Sequence, residues 1–206
     1  MDKYDIKTAH KMLYSSSHKD FCIVDVPDLQ YISIDGGGDP NTSPAYTDAI
    51  ESLYAVAYPV KFASKSMGRD FTVGPLEGLW RSTDVTAFNR RDKNAWEWTM
   101  MISQPVWITA VMIAEAREHA KRKEQRPGLD RICLRTLIEG RSVQILHIGA
   151  YDDEGPTLQR LHREYLPENG LTFNGDHHEI YLSDARRTEP EKRKTILRQP
   201  VRPLTS

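Results

Sequence analysis

Apolar and polar residues alternate from Leu29 to Asp35. Leu29, Tyr31 and Ser33 fall on one side and Gln30, Ile32 and Ile34 on the other, which predicts a strand. Gly36-Gly37-Gly38-Asp39-Pro40-Asn41 breaks it. The period then becomes helical. Ser43 stands as N-cap, Pro44 in the first turn, and Tyr46, Ile50, Leu53, Tyr54 and Ala57 form the expected buried stripe, with Pro59 as the expected end. Two strands follow, Phe71 to Trp80 and Asn94 to Ile102. In the second, Trp96, Trp98, Met100 and Ile102 oppose Glu97, Thr99 and Met101. Arg81 to Lys93 between them reads as a charged loop. Thr109 caps a helix to about Gln125, stopped by Pro127-Gly128; its Arg117, Lys121, Arg122 and Lys123 make a basic, solvated face.

The second half repeats the plan. Arg131 to Glu139 and Arg141 to Ile148 read as a hairpin turned at Glu139-Gly140. Asp152-Asp153-Glu154-Gly155-Pro156 opens a helix with acid at its positive end, and Leu158, Leu161, His162 and Tyr165 form its inner stripe. Pro167 and Asn169-Gly170 end it, and strands follow at about His177 to Leu182 and Thr195 to Pro200. The order strand, helix, strand, strand is thus written twice. The expected architecture is α+β: duplicated βαββ modules with antiparallel sheets. Residues 1–20 form an arm and residues 21–206 a single domain, with repeat one at about 21–126 and repeat two at about 127–206. Glu77 and Glu179 fall on corresponding strands of the two copies. The seam between two such units is a common place for a ligand.

Composition narrows the function classes. The chain has 206 residues, 39% hydrophobic and 28% charged, which supplies a core and argues against disorder. Lys plus Arg is 28 and Asp plus Glu 29, so no global charge draws the chain to nucleic acid or anionic lipid. No run approaches the roughly 18 apolar residues of a membrane span. Residues 1–20 are polar and unlike a secretory signal. The two cysteines, Cys22 and Cys133, are too few for a structural zinc site and read as buried thiols of a reducing cytoplasm.

The glycine triplet lacks the Gly-Lys-Ser/Thr ending of a phosphate loop, and Asp35 and Asp39 would repel phosphate, so it reads as a tight turn needing positive φ. Adjacent His177 and His178 point to opposite faces of a strand and cannot chelate one ion together; neither a metal nor a cofactor is expected. No Gly-x-Ser-x-Gly elbow or activated thiol context supports covalent hydrolysis. The tail from Arg186 to Arg202 is basic but diluted by Glu189 and Glu191, with no interleaved aromatics. The informative signal is aromatic plus acidic. Trp80, Trp96, Trp98, Tyr151 and Tyr181 fall at strands or strand ends, and Glu77 and Glu179 on corresponding strands. Such rings around a carboxylate suit flat, hydrophobic or cationic ligands, though Trp96 and Trp98 also fit a plain core.

The stretch His178-Glu179-Ile180-Tyr181-Leu182-Ser183-Asp184-Ala185-Arg186-Arg187-Thr188, with Pro190-Glu191-Lys192 and Thr195 to Val201, resembles the C-terminal signature of stand-alone GyrI-like small-molecule-binding proteins. Pro75 to Trp80, Trp96 to Ile102 and His147 to Glu154 resemble further signatures of that family, in order, from about Asp20 to Val201. The resemblance implies a duplicated βαββ fold (the GyrI-like effector-binding fold) with a ligand cleft between the halves, in which Glu179 meets the ligand. It is similar to a subfamily that hydrolyses the cyclopropane of duocarmycin-type DNA-alkylating antibiotics through an aromatic cage. It thereby implies Glu179 and Tyr181 as catalytic residues and Trp80, Trp96, Trp98, Tyr151 and Glu77 as ligand-binding ones. Glu179 would orient or deprotonate water, and Tyr181 would donate to the developing phenolate. Ala185 stands where the family often has Pro, and Arg81 where it often has an aromatic, which removes one cage wall. The competing expectation is a pure drug binder, or a modulator of a protein partner such as DNA gyrase. With about 20 residues before the domain, no helix-turn-helix and no direct nucleic-acid binding are expected.

Overall fold

The computed structural model describes residues 3–82 and 93–204. In chain order its elements are α1 (Ile6–Ala9), β1 (Cys22–Val26), β2 (Leu29–Gly37), α2 (Pro44–Ser66), β3 (Leu76–Arg81), β4 (Glu97–Gln104), α3 (Ala110–Lys123), β5 (Cys133–Leu137), β6 (Gly140–Ile148), α4 (Gly155–Arg160), α5 (Leu166–Glu168), β7 (Leu171–Phe173), β8 (His177–Tyr181) and β9 (Lys194–Pro203). A π-helical turn, Leu161–Tyr165, joins α4 to α5. The chain divides into two compact units, Met1–Ala9 with Leu29–Leu137 and His10–Asp28 with Ile138–Ser206.

In unit 1 the strands run antiparallel in the order β3-β4-β2-β5. Ile32, Ile34, Met100 and Ile102 are wholly buried in the sheet, and α2 packs on β2 and β4 and beside α3. The buried stripe of α2 is Ala49, Leu53, Val56, Ala57, Val60 and Ser64, rotated from the expected one: Tyr46, Ile50 and Tyr54 are only half-buried. Pro59 does not end the helix but lies inside it. A mid-helix proline costs about 3 kcal/mol, and burial of Val56 and Ala57 before it and Val60 and Ser64 after it outweighs that. Ser43 sits at the N-cap without a side-chain cap bond, whereas Thr109 accepts from Met112 N at 3.3 Å and caps α3. The strand expected from Phe71 begins only at Leu76; Phe71 makes an isolated bridge to Tyr4. The strand expected from Asn94 begins at Glu97, after a 3-10 turn over Lys93–Ala95. Of the charged loop read from Arg81 to Lys93, residues 83–92 lie outside the described residues.

In unit 2 the order is β1-β6-β9-β8, again antiparallel, with β7 added to β9. The hairpin expected at Glu139-Gly140 does not form. β5 pairs with β2, and β6 pairs with β1 and β9. Val143, Leu161, Leu166, Leu171 and Val201 form one core cluster, with Phe21 and Tyr165 against it. The duplication is visible in the connectivity. β2-α2-β3-β4 and β6-α4-β8-β9 give the same sheet order, first strand beside fourth beside third, and each sheet takes an extra strand next to its first, β5 or β1.

Cys22 and Cys133 are free, but neither is buried: Cys22 is half-buried and Cys133 exposed. Among the described residues no helix is long and apolar enough to cross a membrane.

Candidate functional site

The aromatics of unit 1 gather on the α2 side of its sheet. Directly paired strand residues point to the same face, and Gly36 pairs with Trp98, which pairs with Trp80. Trp98 is fully buried and lies across Gly36, where a Cβ would come within 2.0 Å of the indole. Only Gly38 of the glycine triplet has positive φ, +94°; Gly36 is strand backbone kept bare for a ring. Tyr46 of α2 meets Trp98 edge-on at 5.2 Å, and Trp80 is 5.6 Å from the half-buried Trp96. As packed, Trp80 and Trp98 are core.

Glu77 is elsewhere. It pairs with Met101, so it lies on the face of the sheet opposite Trp80 and Trp98, wholly buried, and accepts from the Tyr31 hydroxyl at 3.2 Å.

In unit 2 the period of two along β8 sets His177, Glu179 and Tyr181 on one face and His178 and Ile180 on the other. Glu179 pairs with Leu197, and β9 pairs Leu197 with Ile145 of β6. This is the face that Val143 and Val201 present to Leu161 and Leu166, hence the helix side. Glu77 and Glu179 therefore stand on corresponding strands but on opposite faces relative to their own helices, and the expected equivalence of the two acids is corrected.

Glu179 is the centre of a small cluster. The Tyr181 hydroxyl donates to its Oε2 at 2.8 Å. His177 Nε2 is 3.7 Å from its Oε1, and the Glu179 side chain is 14% exposed. Glu154, which precedes α4 and is buried, bears on it electrostatically. The Tyr151 ring meets that of Tyr181 at 5.5 Å in a T, and the Arg193 guanidinium lies 5.2 Å over Tyr151. Burial pushes Glu179 up to about 7, against the lowering pull of Tyr181 and His178. Burial and the charge of Glu179 hold Glu154 well above the ordinary carboxyl range. Burial, with His162 and His178 nearby, lowers His177 to about 3, so its ring is neutral at physiological pH. Burial raises Tyr151, which stays a phenol. The Thr195 hydroxyl and both His177 nitrogens are buried without a hydrogen-bond partner among the described residues. A buried carboxyl raised to about 7 and bonded to a phenol is equipped to take a proton from water.

The other face of β8 carries a closed ion network. Glu139 takes His178 Nδ1 at 2.9 Å and Arg198 Nη1 at 3.2 Å, and Arg198 also donates to Gln144 Oε1 and to Leu13 O. Despite burial, His178 and Arg198 hold Glu139 down at about 2. Every strong partner here is satisfied, which marks a structural lock rather than a site.

Of the residues expected from sequence, Glu179, Tyr181 and Tyr151 come together in unit 2, and Trp80, Trp96 and Trp98 in unit 1. Glu77 joins neither group. Glu154 and His177 were not among the expected site residues. By sequence Glu154 reads as helix-start acid and as the end of the His147 to Glu154 signature, and His177 is legible through its parity with Glu179. A groove of about 250 Å³ in unit 2, lined by Lys19, Phe21, Arg160 and Tyr165 among others, touches none of the expected site residues.

A Listeria innocua protein, an uncharacterized conserved one, is 36% identical and superposes with a TM-score of 0.89, covering 97% of this chain and 100% of its own. Two structures named as a hydrolase from Listeria innocua are 36% and 35% identical, with TM-scores of 0.83 and 0.84; they cover 97% and 98% of this chain and 100% of theirs. The EcmrR C-terminal domain, 12% identical with a TM-score of 0.57 over 89% of this chain and 98% of that domain, shares the fold. No curated protein matches the chain. The model of the GyrI-like small molecule binding domain matches residues 19–202, nearly the whole length, and the chain belongs to that family.

Proposed function

We propose that this protein binds a flat, hydrophobic aromatic molecule and adds water to it, opening an activated cyclopropane of the kind carried by duocarmycin-type DNA-alkylating antibiotics. The observation that carries this reading is the buried Glu179 carboxyl, which accepts from the Tyr181 hydroxyl at 2.8 Å and which burial pushes up to about 7. A general base is most effective when its pKa lies near the working pH. The two Listeria innocua structures named as a hydrolase, similar to this chain over nearly its whole length, support turnover rather than storage.

In the proposed step the Glu179 carboxylate takes a proton from water. The water oxygen bonds to the cyclopropane methylene, and the carbon–carbon bond to the dienone ring breaks. That electron pair moves through the ring to the carbonyl oxygen, which becomes a phenolate as the ring turns aromatic. Tyr181 has one O–H to donate. It orients Glu179 while Glu179 is the base, and turns to the phenolate once Glu179 has become the acid. The proton on Glu179 then passes to the phenolate, so the sum is one water added. Tyr151 offers its ring beside Tyr181 for the flat substrate. The role is detoxification or self-resistance in a reducing cytoplasm, which the free Cys22 and Cys133 fit.

The test is to incubate the protein with an excess of a cyclopropane-bearing alkylator and follow the ring-opened product. Many equivalents per protein are expected. At most one equivalent would leave a binder that sequesters drugs or modulates a protein partner such as DNA gyrase.

A further inference from the structure

The back of α2, turned away from its sheet, carries a row of aromatics. The helix buries Ala49, Leu53, Val60 and Ser64. At 3.6 residues per turn, Glu51, Tyr54, Tyr58, Phe62 and Lys65 fall within an arc of about 80° on the opposite side. Tyr58 is 50% exposed and Phe62 59%. The rings are braced: Tyr58 stacks on the half-buried Tyr54 at 6.1 Å, and the Lys61 ammonium lies 4.6 Å over Phe62. The solvent side of a surface helix is ordinarily polar, and aromatics at 54, 58 and 62, one per turn, make a continuous apolar ridge there. The ridge has a symmetry of its own. Tyr54 and Phe62 each stand four positions from Tyr58, and Glu51 and Lys65 each seven. One end is an acid and the other a base.

We infer that this ridge is a homodimer surface: two copies of α2 pack antiparallel about a two-fold axis at Tyr58, with Tyr54 level with Phe62 of the second copy and Glu51 level with Lys65 of the second copy. An isologous contact needs a patch that complements itself under reversal. Reversal here lays ring on ring and base on acid at both ends. Glu51 holds Arg126 within its own chain, and Lys65 lies 3.8 Å from Asp70, which Lys61 approaches more closely at 3.2 Å. The Glu51 and Lys65 side chains are 51% and 58% exposed, so each reaches across without breaking a buried bond. A lipid surface favours a basic rim and gains nothing from Glu51. The rings carry the contact, and the exposed charges set its direction and register. One helix pair is a small interface, so the dimer is reversible. The inference is independent of any reaction at Glu179.

The experiment follows sedimentation velocity of the whole chain from micromolar to millimolar concentration, for the wild type, Tyr58→Lys and Phe62→Lys. The wild type passes from monomer to dimer as concentration rises, and each variant moves that midpoint up at least about tenfold. Thermal melts of both variants check that the monomer fold is intact. A zero-length carbodiimide then joins carboxylates to amines in the wild type, and peptide mass spectrometry reads the dimer. A Glu51–Lys65 amide is expected. Within one helix these residues lie 14 positions apart, about 21 Å along the axis, so the amide forms only between copies. The cross-link needs no variant, so a variant that misfolds leaves the test standing. A monomer at every concentration, a dimer that both folded lysine variants leave untouched, or a dimer cross-linked elsewhere but not between Glu51 and Lys65 would overturn the inference. So would a monomer that pellets with phosphatidylcholine vesicles, which would assign the ridge to a lipid surface.

Discussion

The Tyr181 hydroxyl and the Glu179 carboxylate, two positions apart on β8, meet at 2.8 Å on the helix side of the strand. Strand parity makes this contact local, while burial sets its chemistry. Adjacent His178, on the opposite face, enters a closed ion network instead. One five-residue strand thus carries the Glu179–Tyr181 pair on one face and a buried ion network on the other.

Glu179→Gln keeps size and hydrogen bonding but removes the basic oxygen. Turnover of a cyclopropane substrate is expected to drop by about 10²- to 10⁴-fold, with binding of a neutral aromatic ligand little changed. Steady-state kinetics and a fluorescence titration on the same variant measure both. The reverse result, weaker binding of a lipophilic cation with hydrolysis intact, would make Glu179 a counter-charge rather than a base.

The same residue sets a pH dependence of stability. Its folded value of about 7 lies above the ~4.3 of an unfolded glutamate. Its contribution is therefore fully present below about pH 4 and is lost as pH rises through about 7, with a slope of up to about 1.4 kcal/mol per pH unit. Urea unfolding of the wild type and Glu179→Gln from pH 4.5 to 8 should show the wild type losing ground to the variant as pH rises. Parallel curves would mean that Glu179 is not a raised carboxyl.

Local pattern made much of this molecule legible. The strand from Leu29, the cap at Thr109 and the doubled strand-helix-strand-strand order all follow from short-range rules. What failed depended on long-range partners. Glu139-Gly140 has hairpin chemistry, but β5 and β6 each find a partner far along the chain, so no hairpin forms. Pro59 is a helix breaker by local rule, and the buried residues on both sides of it override the rule. Glu77 and Glu179 look equivalent by position, yet one residue of parity puts them on opposite faces. Glu154 looks like a dipole-complementing acid at a helix start, and its electrostatic bearing on Glu179 exists only in the fold.

The Glu139–Arg198–His178 lock predicts an asymmetric mutational response. Glu139→Gln leaves the Arg198 guanidinium, 1% exposed, without its carboxylate and should cost about 3–5 kcal/mol. Replacing Glu139 and Arg198 together with methionine removes both charges and should cost much less. Denaturant midpoints of the single and double variants decide it. A double variant as unstable as the sum of the singles would show that the bonds from Arg198 to Gln144 and Leu13, not the ion pair, carry the stability.

Gly36 and Trp98 supply the last prediction. A Cβ at position 36 would lie 2.0 Å from Cη2 of Trp98 and 2.4 Å from Cζ2 and Cζ3. The indole cannot retreat freely, because Tyr46 stands edge-on to it at 5.2 Å and Trp80 is its cross-strand neighbour. Nor is the backbone the obstacle, since Gly36 is ordinary strand and alanine fits its torsions. Gly36→Ala is thus a pure overpacking test. It should cost about 1–3 kcal/mol and shift the near-ultraviolet circular dichroism as Trp98 moves. Gly37→Ala is the control: the nearest atom to its Cβ is the Trp96 carbonyl oxygen at 3.3 Å, a contact a small adjustment relieves. Trimming the indole in Gly36→Ala/Trp98→Leu should make the double change cost less than the sum of the two singles, because each change relieves the other's clash or void. Strict additivity, or a Gly36→Ala variant with wild-type stability and spectrum, would show that the ring does not depend on a bare position beneath it.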